Sequence, residues 1–562
     1  MPAKLLRSTA VIGAMTLLSR LTGLLRDVVF AHLLGDRAAA DVFFVAFRIP
    51  NFFRRITAEG AFAAAFVPVF TDFRLHRAAD DNARFLQLMT GRFGLILLVA
   101  SAAGVLAAPA LVTVVAPGFL SQPEKFQLAV AATRITFPYL FFISLVAMAA
   151  AMLNTCGRFA APAATPVLLN FCLIAAAVEL APRFAHAPIA LAVGVAAAGV
   201  LQLAFQIPFL RRENLPTGAR IIARRPADDT AIAGARRVFA LTVPAILGVS
   251  VAQINVLVST LLASFLATGS IAWLYYSDRL MEFPVGVFGI ALSTAILPDL
   301  SRKRSAGSGR AFSATLDWAA RWVVLVCAPA TVGLAALAGH MIAAIYYHGD
   351  FSAHGVSMAA ASLVAYAAGL TAIVLVKIFA PGFYAHQNTR TPVRIGMLAV
   401  GANIVFSLAL VWPLQHVGLA LATSLAAYLN AGLLFIALRR AGLYRPAAGW
   451  PRFLVKVCAA AAGMGAVLVY GAGEASAWLG YAPGMRVWRL LAWVAAGAAV
   501  YFVLLFAFGI KLRALWQARN IGDGEGDGDG DGNGHRDSHS NSGDGDRDGD
   551  GHRDHNRDRQ PR

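Results

Sequence analysis

The sequence predicts an all-α polytopic membrane protein: 14 transmembrane helices, made of two six-helix lobes in a parallel repeat plus two C-terminal helices. Composition, the spacing of apolar blocks and an internal offset predict it. Of the 562 residues, 58% are apolar and 14% charged, against about 45–50% and about 25% in soluble domains. The apolar residues form long blocks, among them 93–115, 163–181, 189–210, 238–266, 393–414 and 490–508. A spanning helix needs about 20 mostly apolar residues, whereas a soluble enzyme alternates shorter amphipathic segments with polar loops.

Reading apolar blocks against polar breaks gives spans starting near residues 9, 41, 88, 127, 162, 188, 238, 271, 315, 356, 393, 416, 453 and 488. The first follows Lys4 and Arg7 as a secretory signal would, but it has no small-residue cleavage pattern and continues as a long helix, so it is read as span 1. Alternate loops differ in charge. One set carries Arg74, Arg77 and Arg84, then Arg158, Arg211, Arg212 and Arg220, then Arg302, Lys303, Arg304 and Arg310, and later Arg439, Arg440, Arg445 and Arg452. The other set offers little beyond Arg37, Lys125, Arg183 and Arg486. The positive-inside rule makes the first set cytoplasmic, and an even span count then puts both termini inside. The net charge of +18 therefore reports topology, and no nucleic-acid partner is expected.

Pro68 and Pro298 end similar stretches 230 positions apart (298 − 68), and Pro162 and Pro392 follow Asn154–Arg158 and Gln387–Arg390 at the same offset. Six spans separate equivalent positions, so equivalent helices point the same way, as in a parallel repeat about the membrane normal. The predicted units are residues 1–230, the N-terminal lobe; 231–445, the C-terminal lobe; 446–520, spans 13 and 14; and 521–562, a cytoplasmic tail. The tail is Gly/Asp-rich low complexity with 12 acidic and 6 basic residues, predicted to be disordered and solvated. Its Asp527–Gly532 run starts like a calcium loop, but the twelfth position is Ser538 rather than glutamate. The four cysteines form no CxxC pair, so no metal or disulfide chemistry is implied.

Charges inside spans carry the functional information. Each costs at least ~2.5–3.5 kcal/mol at the centre of a lipid-exposed helix, so it faces a wet cavity or a partner. Span 1 holds Arg20, Arg26 and Asp27; Arg20 lies about 10 residues in, roughly 15 Å at 1.5 Å per residue. Span 2 holds Asp41, Arg48, Arg54, Arg55 and Glu59. On an ideal helix Asp41, Arg48, Arg55 and Glu59 share a face. Pro50-Asn51 is expected to break or kink this span, so periodicity does not choose between Arg54 and Arg55. Span 8 adds Asp278, Arg279 and Glu282. The prediction is a cavity between lobes in which arginines grip phosphate bidentately, with carboxylates orienting them. The bland alternative is a salt-bridge network that only locks helices. No Walker loop, HExxH or GxSxG motif is present, so the reading is a transporter and not an enzyme.

The stretches Ser19-Arg20-Leu21-Thr22-Gly23-Leu24-Leu25-Arg26-Asp27 and Asp41-Val42-Phe43-Phe44-Val45-Ala46-Phe47-Arg48-Ile49-Pro50-Asn51 resemble the MurJ/MviN lipid II flippases. So do Arg54-Arg55, Ala58-Glu59-Gly60-Ala61-Phe62, Asp278-Arg279-Leu280-Met281-Glu282-Phe283-Pro284 and Ala380-Pro381-Gly382-Phe383-Tyr384. The resemblance spans residues 1 to about 515 and implies a fold shared with the MATE exporters. It implies movement of the undecaprenyl-diphosphate-linked disaccharide-pentapeptide, lipid II, from the cytoplasmic to the periplasmic leaflet of the bacterial inner membrane, for peptidoglycan and cell-wall synthesis. It assigns the diphosphate cavity to Arg20, Arg26, Arg54 and Arg279, supported by Asp41 and Glu59; Asp27, Arg48, Asn51, Arg55, Asp278 and Glu282 complete the expected surround. Spans 13 and 14 are implied to hold the polyprenyl tail. Some members carry a sodium site built from acidic residues of span 7, whereas residues 238–265 here contain no carboxylate. No cofactor is expected; membrane potential or ion coupling is the expected drive. Expected partners are lipid II, membrane lipids and cell-wall synthesis proteins. The rival readings are an exporter of another lipid-linked glycan or amphiphile, a non-transporting scaffold, and a membrane glycosyltransferase; an arginine-rich cavity argues against export of cations.

Overall fold

The computed structural model describes residues 3–55, 62–221 and 229–510, and every regular element among them is helical. Glu59, the loop arginines Arg224 and Arg225, and the tail lie outside the described residues. The first half comprises α1 (Ala3–Leu34), α2 (Ala38–Arg54), α3 (Phe62–His76), α4 (Ala79–Leu106), α5 (Ala108–Val115), α6 (Pro123–Thr136), α7 (Tyr139–Thr155), α8 (Ala160–Ala175) and α9 (Ala187–Arg212). The second comprises α10 (Asp229–Ser264), α11 (Ser270–Pro284), α12 (Ile290–Ser305), α13 (Gly309–Ala336), α14 (Ala338–Ile345), α15 (Ala353–Ala368), α16 (Leu370–Tyr384) and α17 (Arg390–Arg440). α18 (Trp450–Ala472), α19 (Ala475–Trp478) and α20 (Pro483–Ala507) complete the described chain. Among the described residues, nine helical segments are long and apolar enough to cross a membrane.

Helices dominate because a chain in hydrocarbon must satisfy every backbone polar group within itself. The same constraint explains how prolines are handled. Of the break or kink expected at Pro50-Asn51, the break does not occur, since α2 runs through Pro50 to Arg54. Pro284 instead ends α11 in a π-helical turn, Val285–Gly289, as a missing N–H and a displaced carbonyl widen the spiral. α17 changes course at Gln415, whose φ of 50° and ψ of −133° are not helical.

Element boundaries repeat along the chain. α4 and α13 begin 230 residues apart (309 − 79) and end 230 apart (336 − 106), and α5 and α14 do the same. Gly157 and Gln387, again 230 apart, both take left-handed backbone (φ 75° and 55°) just past the ends of α7 and α16, where a helix cap calls for it.

In the first half α1 packs on α8, α2 on α6 and α9, and α7 on α3 and α9; in the second, α11 packs on α15 and α13 on α16. α10 packs on α3 and α4 as well as on α17. α18 and α20 pair with each other and dock on α13 and α14. Arg486 at the start of α20 fastens that dock: it donates to the carbonyls of Tyr347 (2.6 Å), Tyr481 (2.8 Å), Leu479 (3.1 Å) and Ala343 (3.4 Å).

The halves also meet at the end bearing the charge-poor loops. Buried Asp36 accepts from Trp273 Nε1 (3.1 Å), Ser352 N (2.9 Å) and Ser352 Oγ (2.9 Å). Gly35, with φ of 62°, lies so close to the Asp350 carbonyl that a Cβ would stand 2.4 Å from its oxygen.

Candidate functional site

The charged residues of α1 and α11 converge on one another across the two halves of the chain. Arg26 and Asp27 are buried, with 4% and 2% of their surfaces exposed. Arg26 donates to Asp27 Oδ1 from Nη2 (2.7 Å) and Nε (3.0 Å), to Asn170 Oδ1 on α8 (3.0 Å) and to the Tyr275 hydroxyl on α11 (3.1 Å). Tyr275 OH in turn donates to Asp27 Oδ1 (2.9 Å). Arg279, one turn after Tyr275, places Nε 3.3 Å from Asp27 Oδ2 and Nη1 2.9 Å from Glu282 Oε2. Asp27 is therefore the shared counter-charge of one arginine from each half. The desolvation cost of burying such charges is offset only when they are paired and hydrogen-bonded.

These residues line a cavity of about 770 Å³ bordered by α1, α8, α11, α13 and α14. Arg20, Arg26, Asp27, Arg279 and Glu282 contribute its charge; Leu24, Leu334, Met341 and Ile345 give it an apolar wall. Arg20 has no hydrogen bond or ion pair among the described residues, and its guanidinium lies against Gly286, where a Cβ would stand 1.9 Å from Nη1. Three guanidinium groups face two carboxylates here. The surplus of positive charge, with one arginine unengaged, suits a phosphate-bearing anion.

The span 2 residues divide differently from the expectation. Arg54 lines a second cavity, of about 760 Å³, that lies within the first half and shares Pro166 and Leu169 of α8 with the first. Asn51 Oδ1 accepts from Arg54 Nε (2.8 Å) and so aims that guanidinium. Arg55 is exposed and reaches Gln253 on α10 (3.4 Å), while Arg48 bonds Thr260 on the same helix. The face predicted for Asp41, Arg48 and Arg55 thus runs along α10 towards the start of α11 and stands apart from the α1–α11 cavity. Asp41 is buried and accepts from Lys125 Nζ (2.9 Å), Gly269 N (2.8 Å) and Ala272 N (3.1 Å), which ties α2 to α6 and to the start of α11. Asp278, next to Arg279 on α11, lies within electrostatic reach of Glu282 and Arg279 as well as of Arg48 and Arg55. Its carboxylate stands between the charges of the cavity and those of Arg48 and Arg55.

Asn170 and Tyr275 were not singled out by the sequence. Each left a signal: Asn170 is the sole polar side chain in the 166–175 stretch of α8, and Tyr275 sits four residues before Arg279, one turn away on the same face. Gly286 left none, because its role is to let Arg20 approach.

A family model described as lipid II flippase MurJ matches residues 30–490. A probable lipid II flippase MurJ of Vibrio cholerae is 40% identical over 519 residues, covering 91% of this chain and 98% of that protein. One from Haemophilus influenzae is 42% identical, with 88% and 98% covered, and a lipid II flippase MurJ of Burkholderia cenocepacia is 40% identical, with 90% and 98% covered. Among solved structures, lipid II flippase MurJ in an inward-closed conformation superposes with a TM-score of 0.75 at 25% identity, covering 89% of this chain and 98% of that one. An inward-facing MATE family transporter of the MOP superfamily shares the fold, with a TM-score of 0.59 at 14% identity and coverage of 77% and 98%. The matched segment takes in Tyr275 and Arg279 as well as Asp41, Arg48 and Arg54, and the chain belongs to the lipid II flippase MurJ family.

Proposed function

We propose that this protein is a flippase that carries lipid II from the cytoplasmic to the periplasmic leaflet by alternating access, supplying precursor for cell-wall synthesis. The observation that carries the reading is the α1–α11 junction. Arginines from both halves share Asp27 in a cavity with one apolar wall, so a diphosphate can displace the carboxylate while a hydrocarbon chain stays in lipid. Arg20, Arg26 and Arg279 are the proposed diphosphate ligands. Arg54, aimed by Asn51, receives the headgroup beyond α8. The apolar wall from α13 and α14 leads towards α18 and α20, the proposed path of the polyprenyl tail.

The proposed architecture has 14 spans. α17 counts as two at Gln415, and α1, α2 with α3, α10, and α11 with α12 join the long apolar segments. The offset of 230 residues supports two six-helix lobes in parallel repeat, with boundaries near 230 and 445. The charge-rich loops support an inner-membrane topology with both termini cytoplasmic.

Alternation follows from charge. Neutralising the arginines removes the repulsion that an empty cationic cavity imposes, and the lobes then rock about the bound headgroup. With the interior negative, outward movement of an anion is favoured by about 2.3 kcal/mol per unit charge per 100 mV. Membrane potential is therefore the proposed drive.

The test is a leaflet-resolved assay of lipid II in cells depleted of the protein and complemented with variants. Arg20→Ala and Arg279→Ala are expected to leave lipid II in the cytoplasmic leaflet; normal translocation by either defeats the cavity assignment. Unchanged flipping after collapse of the potential defeats the proposed drive.

A further inference from the structure

A third cavity, of about 690 Å³, opens where the start of α13 meets the link between α17 and α18. Arg310, Arg321 and Arg445 line it, with Asp317 as its one carboxylate among the described residues. That carboxylate is fully engaged. Its Oδ1 accepts from Trp450 Nε1 (2.6 Å), the Tyr444 hydroxyl (2.9 Å) and Ala447 N (3.1 Å), and its Oδ2 from Arg321 Nε (2.8 Å). Arg321 is engaged as well: it donates to Ala448 O (3.1 Å) and lies over the Trp450 and Phe453 rings. The guanidinium groups of Arg310 and Arg445 are exposed and have no hydrogen bond or ion pair among the described residues. Ser313 holds the second of them across the cleft, since its Oγ accepts from Arg445 N (2.9 Å) and donates to Arg445 O (3.2 Å).

The cleft shares no lining residue with the two cavities on the proposed substrate path. A concave surface with a surplus of one sign of charge gathers counter-ions, and arginine suits carboxylates. The chain itself supplies them. Residues 523–531 read Asp-Gly-Glu-Gly-Asp-Gly-Asp-Gly-Asp, five carboxylates with no basic residue among them. Wherever such a run is extended, alternate residues point to one side, so the acids share a face and the glycines leave the other bare. The described residues end at Ile510, close to the cleft. A Cβ at Gly509 would stand 3.9 Å from Lys456 Nζ, and Lys456 lies six residues along α18 from Trp450, about 9 Å at 1.5 Å per residue. Thirteen residues separate Ile510 from Asp523 (523 − 510), a reach of up to about 45 Å. Tethering over so short a link gives an effective concentration on the order of millimolar, at which a few exposed ion pairs suffice. The family match ends at residue 490, so the acidic run lies outside it.

We propose that the acidic run 523–531 docks in the Arg310–Arg445 cleft, as an intramolecular clasp between the C-terminal tail and the start of α13. Leu334, near the other end of α13, walls the substrate cavity. The clasp therefore joins the tail to a helix of the substrate path.

The test uses full-length protein in nanodiscs of zwitterionic phospholipid and a fluorescent peptide of residues 521–534, whose anisotropy reports binding. One receptor is wild type. The other carries Asp523→Asn, Glu525→Gln, Asp527→Asn, Asp529→Asn and Asp531→Asn, which free the cleft. The second is expected to bind the peptide at least about tenfold more tightly, because wild type fills the cleft with its own run. Adding Arg310→Gln and Arg445→Gln to it is expected to weaken the peptide by about tenfold, the scale of two or three exposed ion pairs. Ala314→Glu puts a carboxylate on the cleft wall and keeps both arginines; it is expected to weaken the peptide too, and serves if the arginine variant fails to fold. Equal affinity for the two receptors, no binding to either, or indifference to the cleft variants overturns the clasp. In nanodiscs containing an anionic phospholipid, the difference between the receptors is expected to persist. Its loss there assigns the cleft to lipid phosphate and overturns the tail as occupant.

Discussion

Asp27→Asn separates two roles that the carboxylate combines. The amide keeps the side-chain shape and one acceptor oxygen but removes the charge shared by Arg26 and Arg279. A pair of unit charges at 4 Å attracts by about 4 kcal/mol at an effective dielectric of about 20, whereas a hydrogen bond from an ionised guanidinium to a neutral amide contributes about 1.5–3 kcal/mol. The two bonds from Arg26, at 2.7 and 3.0 Å, therefore weaken by about 2 kcal/mol together, and Arg279 at 3.3 Å loses a smaller share. That loss destabilises the empty protein. It also frees both guanidinium groups from an internal competitor, so the affinity for a diphosphate rises by up to about 30-fold, at tenfold per 1.4 kcal/mol. Translocation nonetheless falls, because no carboxylate recaptures the arginines when the substrate leaves. The assay is thermal unfolding of purified full-length protein in nanodiscs, with and without polyprenyl diphosphate. The variant is expected to show a lower midpoint without ligand and a larger ligand-induced rise than wild type. A diphosphate affinity equal to or weaker than wild type refutes the competition argument, whatever happens to the midpoint.

Gly286→Ala is expected to reduce lipid II binding with little change in melting midpoint, since the new Cβ displaces only the flexible end of Arg20; unchanged binding would show that Arg20 does not act from that position. Lys125→Met and Asp41→Asn should each lower stability by about 3–5 kcal/mol, as breaking a buried pair does, and the double variant should lose less than the sum of the two; additive losses in a double-mutant cycle would mean the pair is uncoupled. Arg486→Ala removes four bonds to backbone carbonyls and should release α20 from α14, detected as faster amide exchange in 483–507 while 15–34 stays protected. Arg55→Ala is expected to spare the binding of complete lipid II that Arg54→Ala impairs, because Arg55 points to Gln253 and Arg54 into the second cavity; equal losses would return the choice between them to open.

Much of the site was legible from one dimension. Arg20, Arg26, Asp27 and Arg279 are charges in apolar helices, and hydrocarbon permits such charges only where something answers them. The shared face of Asp41, Arg48 and Arg55 was legible too, because helical periodicity is local. What that face looks at was not: it meets Lys125, Thr260 and Gln253 and not the α1–α11 cavity. Gln202 and Gln206 escaped notice because an uncharged amide in an apolar run costs little enough to pass as filler. Their shared partner is Thr165, some 40 residues away.

The membrane class, the places where charge enters the helices, the offset of 230 residues and the family can all be read along the chain. Each is written in composition, periodicity or motif, which depend on neighbours along the chain. Folding adds that Asp27 serves arginines from both halves, that Arg54 rather than Arg55 lines a cavity, that Asp41 is a tether, and that two glutamine oxygens lie buried without partners among the described residues. Pairing of that kind depends on how helices distant along the chain are laid side by side, and no local pattern carries it.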